Sequence, residues 1–333
     1  MDNLTHGLTG AVLGQLGLKK KTGLGMVTLI IAANLPDVDA LAGILGGHQS
    51  LALRRGVTHG PFGILLLPIL LTGIMVWFDR WQGKRGKRPP DRLPVHPGWL
   101  LMLAWIGALS HSTLDILNSY GVRFLEPFSD RWFYGDTIFI IDIWIWAALI
   151  IGLWLSLRRE KQGKSDWQRT AWFTVVAVSA YIFANGLITG KAEADTAIAV
   201  EQQTGERPVL VVANPVPFIF WRREMLWQMT DENGTSYGEG MFHLFGNTSP
   251  KLNEKLIWNE VPAEKIALAR AVDPDVDAYL FWSRMPVLQD LGETANGTAI
   301  RITDMRFRDP LVQDRFGVNA TVPTAVDQDI GRK

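Results

Sequence analysis

Residues 1–190 alternate long apolar runs with short polar connections, and most of the charge sits in the connections. The runs "FGILLLPILLTGIMVWF" (62–78), "IFIIDIWIWAALIIGLWLSL" (138–157) and "AWFTVVAVSAYIFANGLITG" (171–190) are almost free of charge. Each approaches the ~20 apolar residues that a helix needs to cross a ~30 Å hydrocarbon core. Two further runs, 23–45 and 99–117, are long enough but carry polar residues near one end. The run 4–18 is shorter, with Gly10 and Gly14 spaced for close helix contact. After Lys191 the pattern changes: short β-type runs such as "PVLVVANP", "FIFWRREMLWQMT", "TSYGEGMFHLF", "DAYLFWSRMPVL" and "TAIRITDMRFRD" are separated by turn signals. "NEKLIWNEVPAEKIALARAV" reads as one or two helices. The expectation is an α-helical polytopic membrane domain of about five to six helices (1–190), followed by a small α+β extramembrane domain with a mostly antiparallel sheet (191–333).

Charge sets a topology. Fourteen Lys and Arg follow the first, third and fifth runs, against four (Arg54, Arg55, Arg123, Arg131) in the loops between. The positive-inside rule places the fourteen in the cytoplasm and leads residues 191–333 outward, into the periplasm of a bacterial-type inner membrane. No cleavable signal peptide is evident at the start. Net charge is zero, so no global field argues for nucleic acid. Cysteine is absent, which removes disulfides, thiolate ligands and Cys nucleophiles together.

Polar residues mapped onto that topology fall at one level. His6 opens the first run, and Asp37 and Asp39 ("NLPDVD") lie towards the outer end of the second. His59 ("RRGVTHG") stands at the outer entrance of the third, and His111 and Asp115 ("SHSTLD") at the outer end of the fourth. Asp142 ("FIIDIW") is just inside the outer start of the fifth. His111 and Asp115 are one helical turn apart on one face, which suits two ligands of one ion and equally a buried ion pair. Carboxylates at membrane depth are costly unless paired or wet, which makes these residues functional candidates. Imidazole and carboxylate suit Zn²⁺, with Mn²⁺ or Fe²⁺ as alternatives. Pro36 interrupts a helix, and Asp37 and Asp39 are expected to project to one side of an extended turn. Their bland reading is helix capping; that of His6 is a helix-start residue beside a capping Asn3 or Thr5. Asp142 reads as a ligand, a partner orienting a histidine or the general base, and Arg131 as a clamp for an anionic oxygen or an ordinary salt bridge.

"MDNLTHGLTG", "NLPDVDA", "RRGVTHG", "SHSTLDILNSYG" and "PFSDRWFYGDTIFIIDIW", in that order over roughly residues 1–150, resemble the YdjM-like family of membrane-bound metal-dependent hydrolases. The helical His-x-x-x-Asp with a separate Asp and His also resembles the trinuclear zinc site of zinc-dependent phospholipase C and single-strand-specific nucleases. That likeness implies His6, Asp37 or Asp39, His59, His111 and Asp115 as ligands of two or three divalent ions. The chain lacks a later His-x-x-x-His or His-x-x-x-Glu, a role that would fall to Asp136 or Asp142. The implied activity is hydrolysis of a phosphoester, plausibly a lipid of the surrounding bilayer, by a metal-activated water. The rival readings are an ion or metal transporter and a metal-stapled anchor for the outer domain, which is itself read as a cap over the site. The substrate, the number of ions and the oligomeric state are open at this point.

Overall fold

The computed structural model describes residues 1–46, 48–232, 234–245, 250–308 and 316–323. Two compact units divide the chain: Met1–Asp39, Arg55–Leu187 and Pro215–Phe220 form the first, and Ala40–Arg54, Ile188–Asn214 and Trp221–Lys333 the second.

The helices of the first part are α1 (Asn3–Gln15), α2 (Gly25–Ala32), a 3-10 helix over Leu35–Leu45, the short α3 (Gln49–Leu53), α4 (Pro61–Lys84), α5 (Pro97–Ile116), α6 (Ile143–Lys161) and α7 (Gln168–Thr204). Their starts follow local chemistry. Asp2, rather than Asn3 or Thr5, caps α1 by accepting from the amides of Leu4 and Thr5. Pro61 and Pro97 open α4 and α5, where a missing amide costs nothing. Among the described residues three helices, α4, α5 and α7, are long and apolar enough to cross a membrane; a fourth span results if α2 and Leu35–Ile44, bent by 45°, count as one. The sequence predicts about five to six such helices. The 13 residues of α1 are too few to span. The fifth run is helical only from Ile143, because Asp142 caps it there, and that register carries the helix into Arg158, Arg159 and Lys161.

Apolar cores hold the first unit together. Among the described residues Val12, Leu114, Ile138, Ile145 and Leu149 belong to one, and Ala32, Leu71, Met75, Leu100 and Ala104 to another. Between them α2 is sandwiched by α1 and α5 through two glycines. A Cβ at Gly10 would stand 2.7 Å from the carbonyl oxygen of Leu29, and one at Gly107 2.6 Å from Cβ of Ala32. Gly10 lies one turn after His6, and Gly107 one turn before His111. The glycines therefore bring the backbones together where the histidines sit. Gly107→Val is expected to overpack this seam and cost about 1–3 kcal/mol, read as a lowered midpoint of thermal unfolding in detergent.

The strands are β1 (Leu210–Pro215), β2 (Arg222–Asp231), β3 (Gly234–His243), β4 (Lys251–Leu252) and β5 (Ile257–Trp258); after helices α8 (Ala263–Val272) and α9 (Pro274–Trp282) come β6 (Pro286–Thr294), β7 (Gly297–Asp304) and β8 (Gly317–Val322). They make one sheet of order β1-β2-β3-β4, with β5 also on β3, and a second of order β6-β7-β8. The pairs β2–β3, β3–β4, β3–β5, β6–β7 and β7–β8 are antiparallel. Inside the second unit the two sheets share Leu226, Tyr237, Met285, Val287 and Met305, and the Tyr237 hydroxyl donates to the Pro286 carbonyl at 2.8 Å.

Two strand expectations change. "DAYLFW" is helical because Asp273 caps it and Pro274 opens it. In "FIFWRREMLWQMT" the strand begins only at Arg222. The sequence also offers Glu232-Asn233-Gly234 as a turn signal, and β2 and β3 flank it, with Asn233 outside the described residues, as are residues 309–315 and 324–333.

Candidate metal centre

Four segments of the first unit converge on Asp115. Helix α1 brings His6, the 3-10 helix after α2 brings Asp37 and Asp39, the loop before α4 brings His59, and the end of α5 brings His111 and Asp115 itself. His6, His59, His111 and Asp115 are fully buried. The Asp115 carboxylate lies 3.3 Å from His6 Nε2, 3.4 Å from His59 Nε2 and 3.5 Å from His111 Nε2. One ligand atom each from Asp37, His59, His111 and Asp115 fits within a 4.8 Å group. The His6 ring stacks on that of His111, with centroids 3.8 Å apart.

The hydrogen-bond partners fix how the rings present themselves. His111 Nδ1 is 2.8 Å from the Ala33 carbonyl oxygen, which can only accept, so that nitrogen carries the proton. The Thr58 hydroxyl donates to Asp39 Oδ2 at 2.8 Å and therefore accepts from His59 Nδ1 at 2.9 Å. Asp39 Oδ2 itself is 3.3 Å from that nitrogen. Both rings thus turn Nε2 towards the centre, and these two nitrogens face each other at 3.1 Å. Two nitrogens this close need a proton or a cation between them. Nδ1 of the buried His6 has no hydrogen-bond partner. Asp37, His59, His111 and Asp115 could hold a metal ion, and nitrogen and carboxylate donors suit one.

Asp37 and Asp39 do not share one side of an extended turn. The segment is a 3-10 helix, with about three residues per turn, so positions two apart diverge. Asp37 faces the centre, 3.8 Å from His111 Nε2, whereas Asp39 lies behind His59.

Arg55, counted in the sequence only as a loop cation, proves to be buried in this centre. Its guanidinium lies 3.2 Å from Asp115 Oδ2, donates to Asn118 Oδ1 at 3.0 Å and sits over the Tyr120 ring. Its backbone is left-handed at φ 54°, a strain of about 1–2 kcal/mol for a residue with a Cβ. Its amide donates to Asp39 Oδ2 at 2.7 Å, closing off the excursion Ala40–Arg54 at its base. The amino group of Met1 also rests on Asp115.

Two candidates stand apart from this group. Asp142 accepts from the amides of Trp144 and Ile145 with one carboxylate oxygen and from the Tyr181 hydroxyl with the other. A capped helix start thus explains why an aspartate stands in that apolar run. Arg131 is exposed and lies over the Phe133 ring. Neither Asp136 nor Asp142 adds a ligand atom to the group.

The uncharacterized protein YfhP of Bacillus subtilis (strain 168) is 24% identical to the chain over 166 residues, 47% of either protein. The chain therefore matches about half the length of that curated relative. No solved structure matches. The model of the YdjM inner membrane protein family matches residues 1–192, more than half of the chain and every segment that supplies the cluster. With its apolar helices and its buried histidine–aspartate centre, the chain belongs to the YdjM inner membrane protein family.

Proposed function

We propose that the protein is a membrane-bound metal-dependent hydrolase acting on a phosphoester, with the centre around Asp115 as its active site. The observation that carries this reading is the pair of Nε2 atoms of His59 and His111, 3.1 Å apart beside the Asp115 carboxylate. In this reading Asp37, His59, His111 and Asp115 hold a divalent ion, Zn²⁺ by donor type, and His6 is the next ligand available for a second. Such an ion acts as a Lewis acid, acidifying water and drawing charge from a phosphoryl oxygen.

The chain's own part is positioning. Thr58 and Asp39 hold the proton of His59 on Nδ1, and the Ala33 carbonyl does the same for His111. These hydrogen bonds fix the planes of both rings with Nε2 towards the centre. Arg55 holds Asp115 from the protein side as its counter-charge. Burial of the three histidines shields the centre from bulk water, which strengthens every charge interaction within it.

The test is metal content by inductively coupled plasma mass spectrometry on detergent-purified protein, with hydrolysis of bis(p-nitrophenyl) phosphate measured on the same sample. The expected result is bound zinc or manganese and turnover in the wild type, both lost in His111→Ala while the variant remains monodisperse. Bound metal with no turnover of any phosphodiester would replace the hydrolase by a stapled anchor. No metal in protein purified without chelator would end the reading.

A further inference from the structure

The connection between α5 and α6, residues 117–142, builds a short hairpin-like arm on the wall of the centre. Val122 and Phe133 exchange backbone hydrogen bonds at 3.0 and 2.9 Å and form its base. The Arg123 amide donates to the Arg55 carbonyl at 2.8 Å, tying that base to the segment that carries His59. The Arg123–Glu126 ion pair, 2.7 Å long, stiffens one side. At the tip the amides of Phe128 and Ser129 turn back onto the Leu125 carbonyl.

Burial changes sharply along this arm. Val122 and Arg123 are buried at the base, but Phe128 at the tip is 74% exposed, and Leu125 and Pro127 beside it are exposed as well. The Phe128 ring lies 5.8 Å from that of Phe62, itself 44% exposed. Val57, in the segment between Arg55 and His59, is 50% exposed. Asp130 and Arg131 follow immediately, both exposed. Such a patch of large apolar side chains on a loop tip marks contact with a partner or a membrane.

Phe62 identifies the occupant. It is the second residue of α4, a helix long and apolar enough to span a bilayer, so it stands at the level where that span meets the headgroups. A ring packed beside Phe62 shares that level. We infer that residues 123–131 form a membrane-inserted lip: Leu125 and Phe128 enter the outermost acyl layer, and Asp130 and Arg131 stay among the headgroups. Aromatic tips at interfacial depth are held there by the same preference that builds aromatic belts.

This inference rests on the proposed function and deepens it by naming the substrate class. A centre whose wall carries a lip in the headgroup layer meets the phosphoester of a phospholipid, presented from the bilayer, in preference to a soluble phosphodiester.

The absence of native cysteine makes the test direct. Phe128→Cys, Leu125→Cys and, as a control in the polar turn after α6, Lys164→Cys are labelled with an environment-sensitive nitrobenzoxadiazole dye. The full chain is reconstituted into phosphatidylglycerol–phosphatidylethanolamine vesicles, with and without lipids bearing a doxyl quencher near the headgroup end of the acyl chain. The expected result is blue-shifted emission and strong quenching at 125 and 128, with water-like, weakly quenched emission at 164. Water-like emission at both 125 and 128 overturns the lip, even in a protein that hydrolyses soluble phosphodiesters. Quenching at both positions in a protein without hydrolytic activity leaves the lip standing and removes the proposed function instead. Because both positions are exposed, labelling leaves the core intact; should one variant aggregate, the other decides the outcome.

Discussion

Asp115→Ala is expected to abolish metal binding and, in metal-free protein, to lower stability by about 3–5 kcal/mol. Both effects have one origin. The carboxylate is fully buried and receives Arg55 at 3.2 Å, with three imidazoles within 3.5 Å. Its removal leaves the Arg55 guanidinium inside the protein with Asn118 Oδ1 and the Gly121 carbonyl as its polar partners and no counter-charge from Asp115. A buried charge deprived of its partner costs far more than the pair contributes in net terms. Thermal unfolding in detergent, with and without added zinc, separates the two effects. Zinc should raise the midpoint of the wild type, since a ligand that binds only the folded state stabilises it by mass action. The midpoint of the variant should be lower and should not respond to zinc. An unchanged zinc response would mean that the ion sits elsewhere.

The second large effect belongs to the other unit. Asp304→Asn is expected to cost about 3–5 kcal/mol, because Asp304 and Arg306 are a fully buried pair. Asp304 accepts from Arg306 Nε and Nη2 at 2.8 Å, from the Ser283 hydroxyl at 2.6 Å and from the amides of Arg284 and Met285. The guanidinium is covered by Trp282 and Phe307, so no water can replace the lost charge. Burial alone would raise the Asp304 pKa; the Arg306 charge and these hydrogen bonds override it and hold it at about 2. A carboxyl whose folded pKa lies below its unfolded value of about 3.9 contributes stability above the unfolded value and loses it as pH falls. The full contribution, roughly 2–3 kcal/mol, should be present above about pH 4 and be gone by about pH 2. Denaturant midpoints of the full chain in detergent, followed by hydrogen exchange in β6 and β7, should fall across that window in the wild type. In Asp304→Asn they should start low and lack this component. A wild-type midpoint insensitive to pH there would show that the pair is not formed.

The residues around Asp115 were legible because ionisable groups in apolar runs have few bland explanations, and because charge placed several of them at one depth. The spacing of His111 and Asp115 needed only the helical period, and α5 covers both. Asp37 and Asp39 were readable as a pair but not as two different roles, since the turn after Pro36 had to be known before their directions were. Arg55 was illegible. It stands in a basic loop beside Arg54, and only tertiary packing and a left-handed backbone turn it inward. Asp142 has a second explanation that the sequence leaves open: an acidic residue in an apolar run also suits a helix start, and its hydrogen bonds come from the amides of Trp144 and Ile145 and from Tyr181. In the second unit alternation located β2 and β3, whereas "DAYLFW" could serve a strand or a helix and was decided by Asp273-Pro274 ahead of it.

The hydrogen bond from the Arg55 amide to Asp39 has a consequence in polymer terms. It joins the ends of a fifteen-residue stretch, Ala40–Arg54, directly behind His59. Closing a loop costs entropy that grows only with the logarithm of its length, so doubling that stretch would add only about 0.6 kcal/mol. The hydrogen bond at its base sets the position of Asp39 and Arg55. Lengthening the connection between the 3-10 helix and α3 is therefore expected to leave the geometry around Asp115 fixed, read as an unchanged zinc response of the unfolding midpoint.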